Sequence, residues 1–155
     1  MDIKKHITAL GFVPKNGTNG IYHKIYVDYA IEIDFEKQSI NYGSDIIAES
    51  KTTQNFSQPE NFVVLECVDR LLSKGYKPQN IILEKTWPSG HGTSGRLDIC
   101  VSREDGIPYM LIECKTFGKE YNKELARIRK DGGQLFTYFQ LSGGKADVLM
   151  LYASE

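Results

Sequence analysis

The chain has 155 residues, 41% of them hydrophobic and 25% charged, which suits one globular domain large enough to bury a real core. A formal net charge of -1 and a pI near 6.3 exclude a global basic field, so any contact with nucleic acid has to come from a local patch. Cys67, Cys100 and Cys114 lie inside apolar runs without CxxC or CxxH spacing and read as buried free thiols, not as a zinc site. No run approaches the roughly 20 apolar residues of a membrane span, and Met1 to Lys5 does not lead into a signal-peptide core, so the expected compartment is the cytoplasm.

The first expected element is a short helix, Ile3 to Leu10, stopped by Gly11. After the turn cluster Lys15 to Gly20, the dense β-branched and aromatic runs Ile21 to Tyr26 and Tyr29 to Phe35 predict two strands. A third is expected near Ser39 to Tyr42, making a small antiparallel meander. Polar, aperiodic Lys51 to Gln58 is the expected joint, dividing a helix-plus-meander subdomain (1–55) from the remainder (56–155). Ser57-Gln58-Pro59-Glu60 matches a capping box, and Phe62 to Leu72 carries the long apolar stripe of a core helix.

Ile81 to Trp87 and Leu97 to Ser102 predict strands on either side of the glycine-rich loop Pro88 to Gly95. Asp105-Gly106 suits a two-residue hairpin turn into a third strand, Tyr109 to Lys115, apolar enough to be covered on both faces. Glu120 to Leu141 is expected to be helical with a break at Gly132-Gly133, and Asp147 to Tyr152 to be a last strand. The core therefore reads α, β, β, β, α, β, a mixed α/β (α+β) fold behind a small β-rich block. A chain that ends directly after a strand suits a domain cut from a longer polypeptide.

With Asp105 and Gly106 as the loop, the hairpin register sets Asp98 directly opposite Glu113. Directly opposed residues share a face with Cβ atoms roughly 5 Å apart, and two carboxylates so placed repel unless a cation stands between them. Lys115, two residues past Glu113, falls on the same face. Two carboxylates and an ammonium over one point of a sheet are what phosphodiester hydrolysis with Mg²⁺ uses. The plainer reading is a strand leaving the core with Glu113 and Lys115 in solvent. Against it stands the apolar run Tyr109 to Ile112 immediately before Glu113.

Gly95-Arg96-Leu97-Asp98, Glu113-Cys114-Lys115 and Gln134-x-x-x-Tyr138 together resemble the successive motifs of PD-(D/E)xK nucleases. The likeness is greatest to the N-terminal nuclease domain of type I restriction enzyme R subunits and of fused restriction-modification (N-6 DNA methylase) proteins, over Asn61 to Ser154. The resemblance implies a restriction-endonuclease-like core and a DNA endonuclease activity that depends on Mg²⁺, with Mn²⁺ as a substitute. It implies that Asp98, Glu113 and the carbonyl of Cys114 hold the metal and that Lys115 is the catalytic lysine. Glu66, on the first core helix, is a further metal candidate by the same likeness; the alternative is a glutamate facing solvent.

Gln134 and Tyr138 are four apart on one helix face, in reach either of DNA and the active site or of the core edge and water. The hairpin register places Arg96 opposite Lys115, where two cations would take a phosphate between them. Lys119, Lys123, Arg127, Arg129 and Lys130 form a local positive patch or simply a solvated face. The glycine-rich loop lacks the lysine of a P-loop, so no ATP site is expected, and His91 within it is a weak site candidate. The expected partners are double-stranded DNA and the methyltransferase, specificity or translocase modules of a restriction-modification complex. A catalytically silent DNA-binding or assembly module on the same fold is the alternative.

Overall fold

A computed structural model of the chain describes residues 2–88 and 95–155. Its elements in chain order are α1 (Ile3–Ala9), β1 (Val13–Pro14), β2 (Ile21–Tyr26), β3 (Tyr29–Asp34), β4 (Ser39–Asn41), β5 (Ile47–Ala48), α2 (Glu60–Ser73), β6 (Ile81–Thr86), β7 (Arg96–Ser102), β8 (Pro108–Thr116), α3 (Lys119–Asp131), α4 (Gly133–Leu141) and β9 (Val148–Ser154). The first four strands make an antiparallel meander in the order β1-β2-β3-β4, and the other five make a mixed sheet in the order β5-β6-β7-β8-β9. From α2 onward the order is the expected one, with the helical segment split into α3 and α4 where Gly132 takes a left-handed φ of 87°.

Helix α2 explains how the layers sit. Phe62, Val63, Val64, Leu65, Cys67, Val68, Leu71 and Leu72 are all buried, and a helix apolar nearly all round must be covered on more than one side. One buried cluster joins it both to Ile31, Ile33 and Ile40 of the meander and to Ile99, Val101 and Ile112 of the mixed sheet. A smaller cluster, with Leu97, Cys100, Leu111, Leu135 and Tyr138, packs α4 on the other face of that sheet. Strand β8 alternates accordingly: Met110, Ile112 and Cys114 belong to the first cluster and Leu111 to the second.

The N-terminal block is thus one wall of the common core. Its strand β5 pairs parallel with β6, Ile47 beside Ile82 and Ala48 beside Leu83. The expected capping box does not form either: α2 begins at Glu60, its cap position is Pro59, and no side chain caps it.

The β7–β8 register is Ile99 to Ile112, Cys100 to Leu111 and Val101 to Met110, so the next residues along, Asp98 and Glu113, stand side by side as expected. The turn reaches that register by another route. The loop has three residues, closed by Gly106 N–H donating to Arg103 O at 3.0 Å and Arg103 N–H to Ile107 O at 2.8 Å, with Gly106 at φ 80°. A bulge between Val101 and Ser102 then shifts the pairing by one residue.

A shared core predicts that Ile33→Ala in the meander and Ile112→Ala in the mixed sheet each cost about 2–5 kcal/mol. Both variants should unfold in one transition, with circular dichroism and fluorescence superimposed. Two separated transitions in denaturant would show that the first 55 residues fold apart.

Candidate active site

The C-terminal end of β8 and the N-terminal end of β7 open on a cavity of about 670 Å³. Asp98, Glu113, Lys115 and Arg96 line it from the sheet, Glu60 and Asn61 from α2, and Gln134 from α4. Thr52, Thr53 and Asn55 form a further wall, so the segment expected to be only a joint borders the site.

Glu113 is 3% exposed, and its Oε2 is buried with no hydrogen-bond partner among the described residues. Its Oε1 accepts from the Lys115 ammonium at 2.6 Å. The same Nζ donates to the Cys114 carbonyl at 2.9 Å and lies 4.0 Å from Asp98 Oδ2 and 3.5 Å from Glu60 Oε1. Asp98 Oδ2 is fixed from across the strands by the Cys114 amide at 2.7 Å. The ammonium therefore stands among three carboxylates and a carbonyl, oxygens of the kind a hard divalent cation takes. Among the described residues, no three His, Cys, Asp or Glu side chains are spaced to hold a metal ion by themselves, so a metal beside Asp98 and Glu113 would also draw on the Cys114 carbonyl and water.

Burial pushes the Glu113 carboxyl up to about 8, with Asp98 adding to the rise and Lys115 opposing it. Burial likewise raises Asp98, to about 6, against the pull of Lys115 and the Cys114 amide. The facing carboxylates raise the Lys115 ammonium above its ordinary range and outweigh the desolvation that lowers it.

Glu84 is a third carboxylate in line. Leu83 pairs with Ile99 and Lys85 with Leu97, which sets Glu84 beside Asp98, and so Glu84, Asp98 and Glu113 form a row across β6, β7 and β8. Glu84 is buried and holds a left-handed φ of 54°, a conformation that costs a non-glycine residue on the order of 1–3 kcal/mol. Its carboxylate accepts from the Thr52 amide at 3.1 Å and from the Thr52 hydroxyl, and it lies 3.6 Å from Arg96 Nη1.

The remaining expected residues sort by place. The Arg96 guanidinium turns over β6 to Glu84 and donates to Ser50 Oγ at 3.1 Å. Tyr138 is 3% exposed and donates to the Arg96 carbonyl at 2.8 Å, so it supports the start of β7 from the core edge and offers no face to DNA. Gly95 allows this approach, since a Cβ there would lie 2.7 Å from the Tyr138 hydroxyl. Gln134 reaches the cavity.

Glu66 corrects an expectation: its carboxylate is spent on the Tyr152 hydroxyl and the Arg70 guanidinium, each at 2.8 Å, away from the cavity. The carboxylate of α2 at the site is Glu60, six residues earlier on the helix. His91 and the rest of 89–94 lie outside the described residues.

A family model, Type I restriction enzyme R protein N terminus, matches residues 59–138. The mixed sheet, its helices and this site define a restriction-endonuclease-like α+β domain. The chain belongs to the family of type I restriction enzyme R protein N-terminal domains, whose match spans every residue of the cavity from Pro59 to Gln134. No curated protein matches the chain. No helix among the described residues is long and apolar enough to cross a membrane.

The raised carboxyls have a signed consequence. A carboxyl disfavoured as its anion in the folded state keeps its proton to higher pH than in the unfolded chain, so stability is full below the unfolded value and falls as pH rises toward the folded one. In the absence of divalent cations, thermal melts should show the wild type losing stability between about pH 4 and pH 8 relative to Glu113→Gln. If the variant instead loses more than the wild type over that range, the Lys115 ion pair outweighs burial.

Proposed function

We propose that this chain is a nuclease domain of the PD-(D/E)xK type, hydrolysing DNA phosphodiester bonds at Asp98, Glu113 and Lys115 with Mg²⁺ or Mn²⁺ as cofactor. One observation carries the reading. The Lys115 ammonium rests against Glu113, the Cys114 carbonyl and Asp98, while Glu113 Oε2 is buried without a partner among the described residues, and a buried orphan oxygen beside a caged cation suits a place built for positive charge.

Asp98, Glu113 and the Cys114 carbonyl are the groups that would hold the metal. A bound divalent ion supplies a water of lowered pKa and neutralises charge on the phosphate. Lys115, at the end of a strand and 13% exposed in its side chain, is placed to turn from these oxygens toward a phosphate in the cavity and stabilise the charge that builds there. Glu60, 3.5 Å from the ammonium, gives it a second anchor when it leaves Glu113. Gln134 borders the same space, and Tyr138 holds β7 so that Asp98 keeps its place.

No base-reading element such as a helix-turn-helix stands among the described elements, so target choice, methylation and translocation are assigned to other modules of a restriction-modification complex.

Titration of Mg²⁺ or Mn²⁺ by calorimetry, with plasmid nicking followed on the same samples, tests the assignment. Asp98→Ala and Glu113→Ala should abolish both metal uptake and nicking. Lys115→Met should bind metal at least as tightly as the wild type, because its ammonium no longer competes, yet lose about 10²-fold or more in nicking rate. Metal uptake with no nicking by the wild type would favour the catalytically silent module; identical behaviour of all four proteins would sink the site.

A further inference from the structure

We infer that the outer face of α3 is a track for the DNA phosphate backbone, leading one strand into the cavity. The inference rests on the proposed nuclease site for its direction but on separate residues for its contacts.

Lys119, Lys123, Arg127 and Lys130 fall at i, i+4, i+8 and i+11 of α3, which brings all four to one side of the helix, and all four are exposed. An ordinary solvated helix face mixes signs, with Glu and Lys paired one turn apart. Here the three acidic residues of the helix are drawn elsewhere. Glu124 is 1% exposed and accepts from the Gln134 amide at 3.2 Å, at the start of α4. Glu120 lines the cavity, and Asp131 accepts from the Gly133 amide at 3.0 Å.

Arg127 reaches Glu124 at 3.3 Å, while Lys119, Lys123 and Lys130 have no ion-pair partner among the described residues. In a chain with a net charge of -1, this is cationic density gathered on one helix. The stripe is about 16 Å long, over which one strand of B-DNA presents four to five phosphates. Its near end is at the site: α3 begins four residues after Lys115, and Glu120 in its first turn borders the cavity. Lysines and arginines at this spacing fix phosphates and carry no base preference, which matches a domain whose target choice lies elsewhere.

The test measures binding of a fluorescein-labelled DNA duplex by anisotropy across a salt series, in EDTA, so that the metal site takes no part. The variant is Lys119→Gln/Lys123→Gln/Lys130→Gln. The control, Lys5→Gln/Lys74→Gln/Lys145→Gln, removes the same charge from α1, the far end of α2 and the loop before β9. Losing three phosphate contacts should flatten the slope of log affinity against log salt by about 2.7 and weaken binding at least about tenfold at moderate salt. The control should change affinity by less than about threefold and leave the slope alone.

Equal weakening of the two triple variants, an unchanged slope, or no binding of duplex by the wild type would each overturn the track. Plasmid nicking with Mg²⁺ by the wild type and Asp98→Ala, run in parallel, reports on the nuclease site separately, so either assignment can fail while the other stands.

Discussion

Two carboxylates side by side on neighbouring strands, one buried and one partly buried, set the terms for the rest of this domain. Asp98 and Glu113 repel each other, and burial makes the repulsion stronger because little water remains to screen it. Keeping a proton on the raised carboxyls relieves part of it, and the rest falls to positive charge and fixed dipoles close by. The Lys115 ammonium and the Cys114 amide supply them, and both come from β8 itself, one and two residues beyond Glu113. The neighbouring strands extend the pattern outward: Glu84 flanks Asp98 on β6, and Arg96 flanks Glu84 from β7. The site is a row of three carboxylates laid across three strands with Arg96 against one end and Lys115 against the other, and it holds its shape because the ladder holds its register.

Much of that register could be read in the sequence. Periodicity and punctuation place α1, three of the four meander strands, α2 and the three central strands within a residue or two, because each is long, strongly patterned and ended by glycine or a polar cluster. Asp98 opposite Glu113 was legible too, although the turn is built differently. A three-residue loop and a bulge, each worth one residue of shift, cancel. Two-residue β1 and β5 were not legible, since strands that short carry no periodic signal and exist through their partners. The same is true of the shared core. Apolar residues all round α2 indicate that something covers it, but not that the meander does.

Within the site, legibility followed the backbone and failed for side chains on separate elements. Asp98, Glu113 and Lys115 are related by strand alternation and register, which are local rules. Glu66 and Glu60 both sit on α2, and choosing between them needs the helix's rotation and the reach of its first turn past the end of β8, which only tertiary packing decides. Glu84 left a signal that resembles its neighbour's: Ile81-Ile82-Leu83-Glu84 ends an apolar strand with a carboxylate as Leu111-Ile112-Glu113 does. What the pattern could not show is its left-handed backbone, held by Thr52 from a segment that looked like a linker. The N-terminal block thus takes part in the site by closing a wall of the cavity and clamping Glu84.

The position of Lys115 bears on how such a site survives its own synthesis. A carboxylate pair that required a metal to be buried would leave the apo chain with an uncompensated charge in its core, a penalty of several kcal/mol against a total stability of about 5–15 kcal/mol. An ammonium already resting on Glu113 and the Cys114 carbonyl lowers that penalty before any ion arrives, and the proton that burial keeps on Glu113 up to about pH 8 relieves more of it. The cost is competition, since any cation using those oxygens has to displace the lysine. Glu60 reduces that cost, because an ammonium 3.5 Å from a second carboxylate, itself one-third exposed, can swing outward without losing its counterion. A strand-borne lysine two residues past a buried glutamate therefore serves the fold as a counterion and the chemistry as a mobile charge, and the same short tether from β8 suits both uses.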